Sequence, residues 1–312
     1  MTQSVSRRTA FGILGSVMVT AGVARAADPS LRIAFMTTDA FAQGAYADAG
    51  GFFSNAGLNV ELVTLANSGS IAAAVAGGSV DIGLGNPISL ANAVESGLPF
   101  YAIAPSALYL EAHPQTLVVV SKTSAIQSQK DLAGKTVALV EVRGITQTAT
   151  SAWLRKAGVD PGTVKFIEMP FAAMGPALAG GRIDGAFISD TALMPIVGQT
   201  RSLGCPYGAL APEWYLNLWY VSKTWLTGNP SVAHRFAQAI QKSAIWANAH
   251  QSDTGVVLQK YYPLTNDVLA KMTRTKFASS FDVAHIQPVL DAALREGAVK
   301  RAIDARDFTI LQ

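Results

Sequence analysis

Residues Ala74 to Gly83 read AVAGGSVDIG, and about a hundred residues later Ala177 to Ala186 read ALAGGRIDGA. A unit present twice constrains the fold more than any other feature of this chain. In each copy small and apolar residues end a helix, and a glycine pair (Gly77-Gly78, Gly180-Gly181) stops it, because glycine accepts the left-handed backbone that a helix C-terminus needs. A β-branched residue and an aspartate follow, Val80-Asp81 and Ile183-Asp184, and lead into apolar runs short enough to be buried parallel strands. A second echo has nearly the same offset: FFSNAGLNVELV (Phe52 to Val63) matches WLRKAGVDPGTVKFIEM (Trp153 to Met169) in pattern. Two α/β lobes of similar order are expected.

The chain has 312 residues, 50% of them hydrophobic and 14% charged, enough for one large or two ordinary well-filled domains. Arg7 and Arg8 precede an uncharged run that closes with Ala24-Arg25-Ala26, the pattern of an export signal cleaved after about Ala26. The paired arginines are twin-arginine-like, although Phe11 stands one position late, which leaves the general secretory route open. The apolar run is too short for a spanning helix, and no cysteine near the cleavage point offers a lipid anchor. Removing residues 1–26 takes three arginines from 24 basic residues and no acidic one, leaving 21 against 21. Nucleic acid and anionic membrane are poor partners for so balanced a chain. Cys205 stands alone, so no internal disulfide or thiolate-rich metal site can form.

Strands are expected at 31–36, 59–64, 81–85, 100–104, 116–121, 137–140 and 164–168, then after the second glycine pair up to Ser189-Asp190-Thr191, and at 217–222. Helices are expected between them: 41–55, the one ending at Ala76, one from Asn86-Pro87 to Glu95, one ending near Lys156, and 171–179. Asn86 as N-cap with Pro87 at the first helical position is a strong start signal. The run 116–121 reads as the crossing into the second lobe and 217–222 as the return. Everything after Ser222 reads as helical, over 231–249, 254–261, 266–272 and 283–296. The AGKT of residues 133–136 lacks the first glycine of a phosphate loop and precedes a strand, so it is set aside.

The order of export signal, AGLNVELV, AGGSVDIG, DLAGKTVALV, RGITQTATSAWLRKAGVDP and ALAGGRIDGAF resembles the soluble substrate-binding proteins of ABC importers. It is most similar to the nitrate, sulfonate and taurine group, which also holds binding proteins for the thiamine pyrimidine precursor. The resemblance covers about Leu31 to Ser222 well and the tail loosely. It implies an α/β, bilobal periplasmic-binding-protein fold (type II-like), two doubly wound lobes joined by a two-strand hinge. The expected division is a signal over 1–26, a first lobe from 27–120 and 217–312, and a second lobe over 121–216. Many relatives carry Trp or Glu near the second strand end where this chain has Ser189-Asp190-Thr191, so no relative's ligand transfers directly.

Ligands of doubly wound sheets sit beyond the carboxyl ends of the strands. The candidate binding residues are therefore Thr38, Asp39, Ser68, Ser70, Asn86, Arg143, Thr146, Thr148, Ser189 and Asp190, with Phe41, Tyr46 and Trp214 as leading aromatics for a ligand ring or chain. Hydroxyls, an amide and helix starts favour an anion, with Arg143 as a charged clamp. Ordinary N-capping explains the same hydroxyls and amide, and a solvated loop role explains Arg143. Asp39 and Asp190 pull the other way, toward an amine or amidine-like ring, and both also suit an N-cap.

An enzyme of the thiamine-pyrimidine type implies a cysteine-rich motif with histidine and iron, whereas here one cysteine and four scattered histidines stand. No nucleophile elbow is present either. The reading is thus a monomeric periplasmic binding protein without cofactor or metal, not an enzyme, working with a membrane permease and its ATPase. Hinge closure captures a small organic anion, a sulfonate or carboxylate; a neutral or cationic pyrimidine-type ligand is the alternative.

Overall fold

The computed structural model describes residues 1–2 and 30–310, so the export-signal reading lies almost wholly outside the described residues. From its start the described chain alternates strand and helix: β1 (Leu31–Phe35), α1 (Gln43–Ala49), α2 (Phe52–Asn55), β2 (Val60–Thr64), α3 (Ser68–Ala76), β3 (Ile82–Gly85), α4 (Pro87–Glu95) and β4 (Phe100–Pro105). A short strand β5 (Ala107–Leu110) leads to β6 (Thr116–Ser121), β7 (Thr136–Leu139), α5 (Ile145–Lys156), β8 (Lys165–Glu168), α6 (Phe171–Ala179), β9 (Gly185–Ser189), α7 (Asp190–Leu193) and β10 (Thr200–Gly204). The chain returns through β11 (Glu213–Tyr215) to β12 (Leu218–Ser222). It then runs through α8 (Lys223–Gly228), α9 (Pro230–Ala249), α10 (Gln251–Leu258), α11 (Asn266–Lys271), β13 (Lys276–Phe277) and α12 (Gln287–Arg295).

Two five-stranded sheets result, ordered β2-β1-β3-β12-β4 and β8-β7-β9-β6-β10. They are the same sheet built twice. In each, the first strand pairs parallel with two neighbours (β1 with β2 and β3, β7 with β8 and β9), and an antiparallel strand, β12 or β6, follows on the far side. The central strands β3 and β9 are buried along their whole length, as strands covered on both faces must be. The edges β2 and β8 are half-exposed.

The repeated motif has a defined role in this symmetry. The second glycine of each pair is left-handed, Gly78 at φ 70° and Gly181 at φ 65°, and the next N–H returns to the helix, Ser79 to Ala74 O and Arg182 to Ala177 O. The aspartate then ties the incoming strand to the first. Asp81 N–H donates to Arg32 O at 2.9 Å while Arg32 N–H donates to Asp81 Oδ2 at 2.8 Å, and Asp184 makes the same pair with Thr136 at 2.9 and 2.8 Å. Both aspartates therefore belong to the scaffold.

Three expectations change. The run 116–121 is not the crossing but an interior strand of the second sheet; the chain crosses on β5 and returns on β11, which pair antiparallel with each other. Strands this short show no usable period, which is why their sequence does not announce them. The tail is not wholly helical, because β13 pairs with β5 and makes the crossing a three-stranded sheet. The helix expected over 41–55 is two helices, separated at Gly50-Gly51.

Candidate functional site

The carboxyl ends of β1, β3, β7 and β9 converge on one cleft between the two sheets, where an α/β sheet collects its loops. The space between its walls is about 590 Å³, counting the part open to solvent. The first half contributes the segment after β1 and the starts of α3 and α4. The second contributes the segment after β7, the starts of α5, α6 and α7, and the start of β6. Leu216 and Asn217 enter just before β12, and Thr273 and Thr275 come from the C-terminal tail. No Lys, Arg or His lines the cleft among the described residues.

Asp39 is fully engaged. Arg274 Nε donates to Asp39 Oδ2 at 2.9 Å and Nη2 to Oδ1 at 3.1 Å, the Thr275 N–H donates to Oδ2 at 2.9 Å, and the Tyr46 hydroxyl donates to Oδ1. Both ends of the ion pair are buried, with side chains 7% and 5% exposed. Arg274 is itself held, donating to Gln251 O and Thr254 Oγ1. A carboxylate with its lone pairs so occupied anchors the tail to the cleft wall and has little left for a ligand.

Asp190 is the opposite case. It is 8% exposed and its Oδ2 has no partner. Burial pushes its pKa up to about 8, with the nearby Asp39 charge adding to the rise and the Thr273 backbone N–H partly offsetting it. Two neighbours along the cleft share the condition. Asn217 is fully buried and its amide N–H donates to Ala40 O at 2.9 Å, which leaves Oδ1 as an acceptor without a partner. Thr275 Oγ1 is likewise unpartnered. Buried polar atoms are normally satisfied, so three orphans in one cleft describe what is missing: Asn217 Oδ1 can only accept and calls for a donor, whereas the Thr275 hydroxyl, and Asp190 while protonated, can accept or donate.

Glu141 stands at the other end. Asn86 Nδ2 donates to its Oε2 at 3.1 Å, Ser89 Oγ to its Oε1 at 2.9 Å, and the Ile145 N–H at the start of α5 also donates to the carboxylate. Burial raises its pKa nonetheless, against the pull of these donors. Asn86 is oriented by its own capping bond, its Oδ1 accepting from Ser89 N–H at 2.9 Å.

Eight of the sequence candidates line the cleft: Thr38, Asp39, Phe41, Ser68, Asn86, Thr146, Ser189 and Asp190. Tyr46 lies behind the wall on Asp39. Ser70 closes a capping box with Asn67 at the start of α3. Thr148 bonds back to Gly144 O inside α5. Trp214 is buried in an aromatic cluster with Tyr109 and Tyr207. Arg143 lines a separate polar groove with Gln147, Glu95 and Glu296, at the left-handed φ of 61°.

Glu141, Asn217 and the Thr273 to Thr275 segment are the residues sequence reasoning missed. Glu141 carried a signal, since it stands five residues after Thr136 as Thr37 stands five after Arg32, the two residues bonded to the repeated aspartates. Arg274, 235 residues from Asp39, carried none.

Comparison with known proteins places these observations. The model of the family described as NMT1/THI5 like matches residues 40–254. The taurine-binding periplasmic protein of Escherichia coli (strain K12) is 27% identical over 221 residues, 67% of this chain and 64% of that protein, so the match spans just under two thirds of the relative's length. Among solved structures, the alkanesulfonate-binding protein SsuA from Xanthomonas axonopodis pv. citri bound to MOPS superposes with a TM-score of 0.75 at 16% identity, over 92% of this chain and all of that one. The nitrate-binding protein NrtA from Synechocystis PCC 6803 gives 0.75 at 15% identity over 89% and 84%. At such identities the structures establish the shared fold, that of periplasmic binding proteins. With a family match covering more than half its length, the chain belongs to the NMT1/THI5-like family.

Proposed function

We propose that this chain is the substrate-binding component of an ABC importer, exported to the periplasm, and that its ligand presents N–H donors to the cleft. The relatives named above support the transport class. The ligand class rests on one observation, the unpartnered buried oxygens of Asp190, Asn217 and Thr275 in a cleft that no cationic side chain lines among the described residues. An ammonium, amidine or aminopyrimidine-like group satisfies all three once Asp190 is charged; a plain sulfonate or carboxylate offers Asn217 Oδ1 no donor. The geometry therefore favours the neutral or cationic reading over the organic anion first expected.

The halves around the two sheets would move as bodies about the β5–β11–β13 crossing, with the ligand bridging them when closed. The protein would act as a monomer, handing its ligand to a permease driven by an ATPase, and would catalyse no reaction.

A thermal-shift and calorimetric screen of the mature protein tests the ligand class, using taurine, an aminomethylpyrimidine, methanesulfonate and nitrate. Stabilisation by the amine-bearing probes, lost in Asp190→Asn, supports it. Binding of methanesulfonate or nitrate as tight as that of the amines overturns it. A zwitterion such as taurine is the second reading, favoured by the taurine-binding relative, and places its ammonium at Asp190.

A further inference from the structure

The Glu141 carboxylate sits where a bound anion would be held. Its surroundings are the N-termini of two helices of nine and twelve residues, α4 and α5, an amide, and a hydroxyl. The start of α5 supplies a backbone N–H, that of Ile145, the start of α4 supplies the Asn86 and Ser89 side chains, and both add favourable dipoles without a cationic side chain. Gly144, the N-cap of α5, makes the space: a Cβ there would collide with the Glu141 carboxylate. The same amide that meets Glu141 also donates to Ser68 Oγ at 3.1 Å, which couples the start of α3 to the arrangement. Asn86 and Ser89 follow β3 of the first sheet, whereas Glu141 follows β7 of the second, so these bonds cross the cleft.

We infer that Glu141 is a tethered surrogate for an anion, a specificity-determining residue that fills the anion seat of the cleft from within. A group on the chain competes at a high effective concentration, so a free sulfonate or carboxylate must displace it to bind. The seat is closed to anions, and the part of the cleft left for a ligand is the one that bears the unpartnered oxygens of Asp190, Asn217 and Thr275. This rests on the reading of the cleft as the ligand site, and the experiment keeps the two separable.

Wild type, Glu141→Ala and Glu141→Ala/Asn86→Ala are titrated with methanesulfonate and with acetate, anions that carry no amine, by calorimetry and thermal shift. Circular dichroism verifies that each is folded. Glu141→Ala is expected to bind at least one of these anions ten-fold or more tightly than wild type, and the double variant to lose the gain. Equal anion affinity in wild type and a folded Glu141→Ala overturns the inference, as does a gain that survives Asn86→Ala. Should Glu141→Ala prove unfolded, Glu141→Gln replaces it: the amide keeps the size, competes less well for the donors, and is expected to gain anion affinity in the same direction, with no gain overturning the proposal. Titration of wild type and Asp190→Asn with an aminomethylpyrimidine reports separately on the amine reading. An anion gain in Glu141→Ala without amine binding in wild type retains the surrogate and removes the amine reading, and the reverse pattern does the opposite.

Discussion

Asp39 and Asp190 are carboxylates in one cleft, and their partners separate their roles. For Asp190 the pKa of about 8 makes a pH prediction with a definite sign. The folded protein holds this proton more tightly than the unfolded chain, whose aspartate titrates near 3.9. The stability due to that proton is complete below the unfolded value and is lost as pH rises toward 8, at no more than about 1.4 kcal/mol per pH unit. Asp190→Asn, which cannot ionise, is expected to flatten this slope in urea unfolding between pH 5 and 9, apart from a constant offset. Ligand binding moves the other way: a cationic ligand requires the charged carboxylate, so its affinity is expected to fall up to about tenfold per pH unit below 8. A flat binding profile over that range would remove Asp190 from the recognition of charge.

Asp39 behaves as structure. Arg274→Ala leaves its carboxylate buried without its main counter-charge, an expected cost of about 3–5 kcal/mol in urea unfolding. In the pair Arg155–Glu296 the carboxylate side chain is 9% exposed but the arginine is 58% exposed, so water can take the arginine's place: Arg155→Ala is expected to cost less than Arg274→Ala, about 1 kcal/mol.

At the scale of elements, the repeat was the legible part. Its glycine stops and strand-initiating aspartates foretold both sheets, and the Asn86-Pro87 start is the N-cap of α4 as its chemistry requires. The two glycines of each pair are not equivalent. Gly78 and Gly181 are left-handed with nothing within 4 Å of a would-be Cβ, so Gly78→Ala and Gly181→Ala test backbone strain alone. Each is expected to cost about 1–2 kcal/mol in chemical denaturation, whereas Gly77→Ala, at φ −81° but with its Cβ 3.3 Å from the Ala73 carbonyl oxygen, is expected to cost less. What stayed illegible has physical reasons. The crossing strands β5 and β11 are too short to show alternation, β10 is an edge strand at a bulge, and β13 has two residues. The cleft was half legible: the rule for loops after strands reaches Ser68, Asn86 and Asp190, but no local pattern says that residues 273–275 fold back onto Asp39.

Across the whole molecule, polar contacts bridge the cleft. Asn67 Nδ2 donates to Glu168 Oε1 at 3.1 Å, and Asn86 and Ser89 donate to Glu141. Such bonds contribute individually about 1 kcal/mol, so the hinge closure proposed above is expected to weaken on losing any of them. Solution scattering should report a larger radius of gyration for ligand-free Asn67→Ala than for wild type, and an unchanged radius would mean that closure is set elsewhere. The sheet topology also sets the order in which each sheet's strands become available. Every strand of the second sheet lies between residues 116 and 204, whereas β4 joins the first sheet only through β12, residues 218–222. As the chain leaves the ribosome N-terminus first, the second half is complete while the first still lacks its bridging strand. The part synthesised first is thus the last to have all its strands, since β3 and β4 are joined only by a strand made after all of the second half.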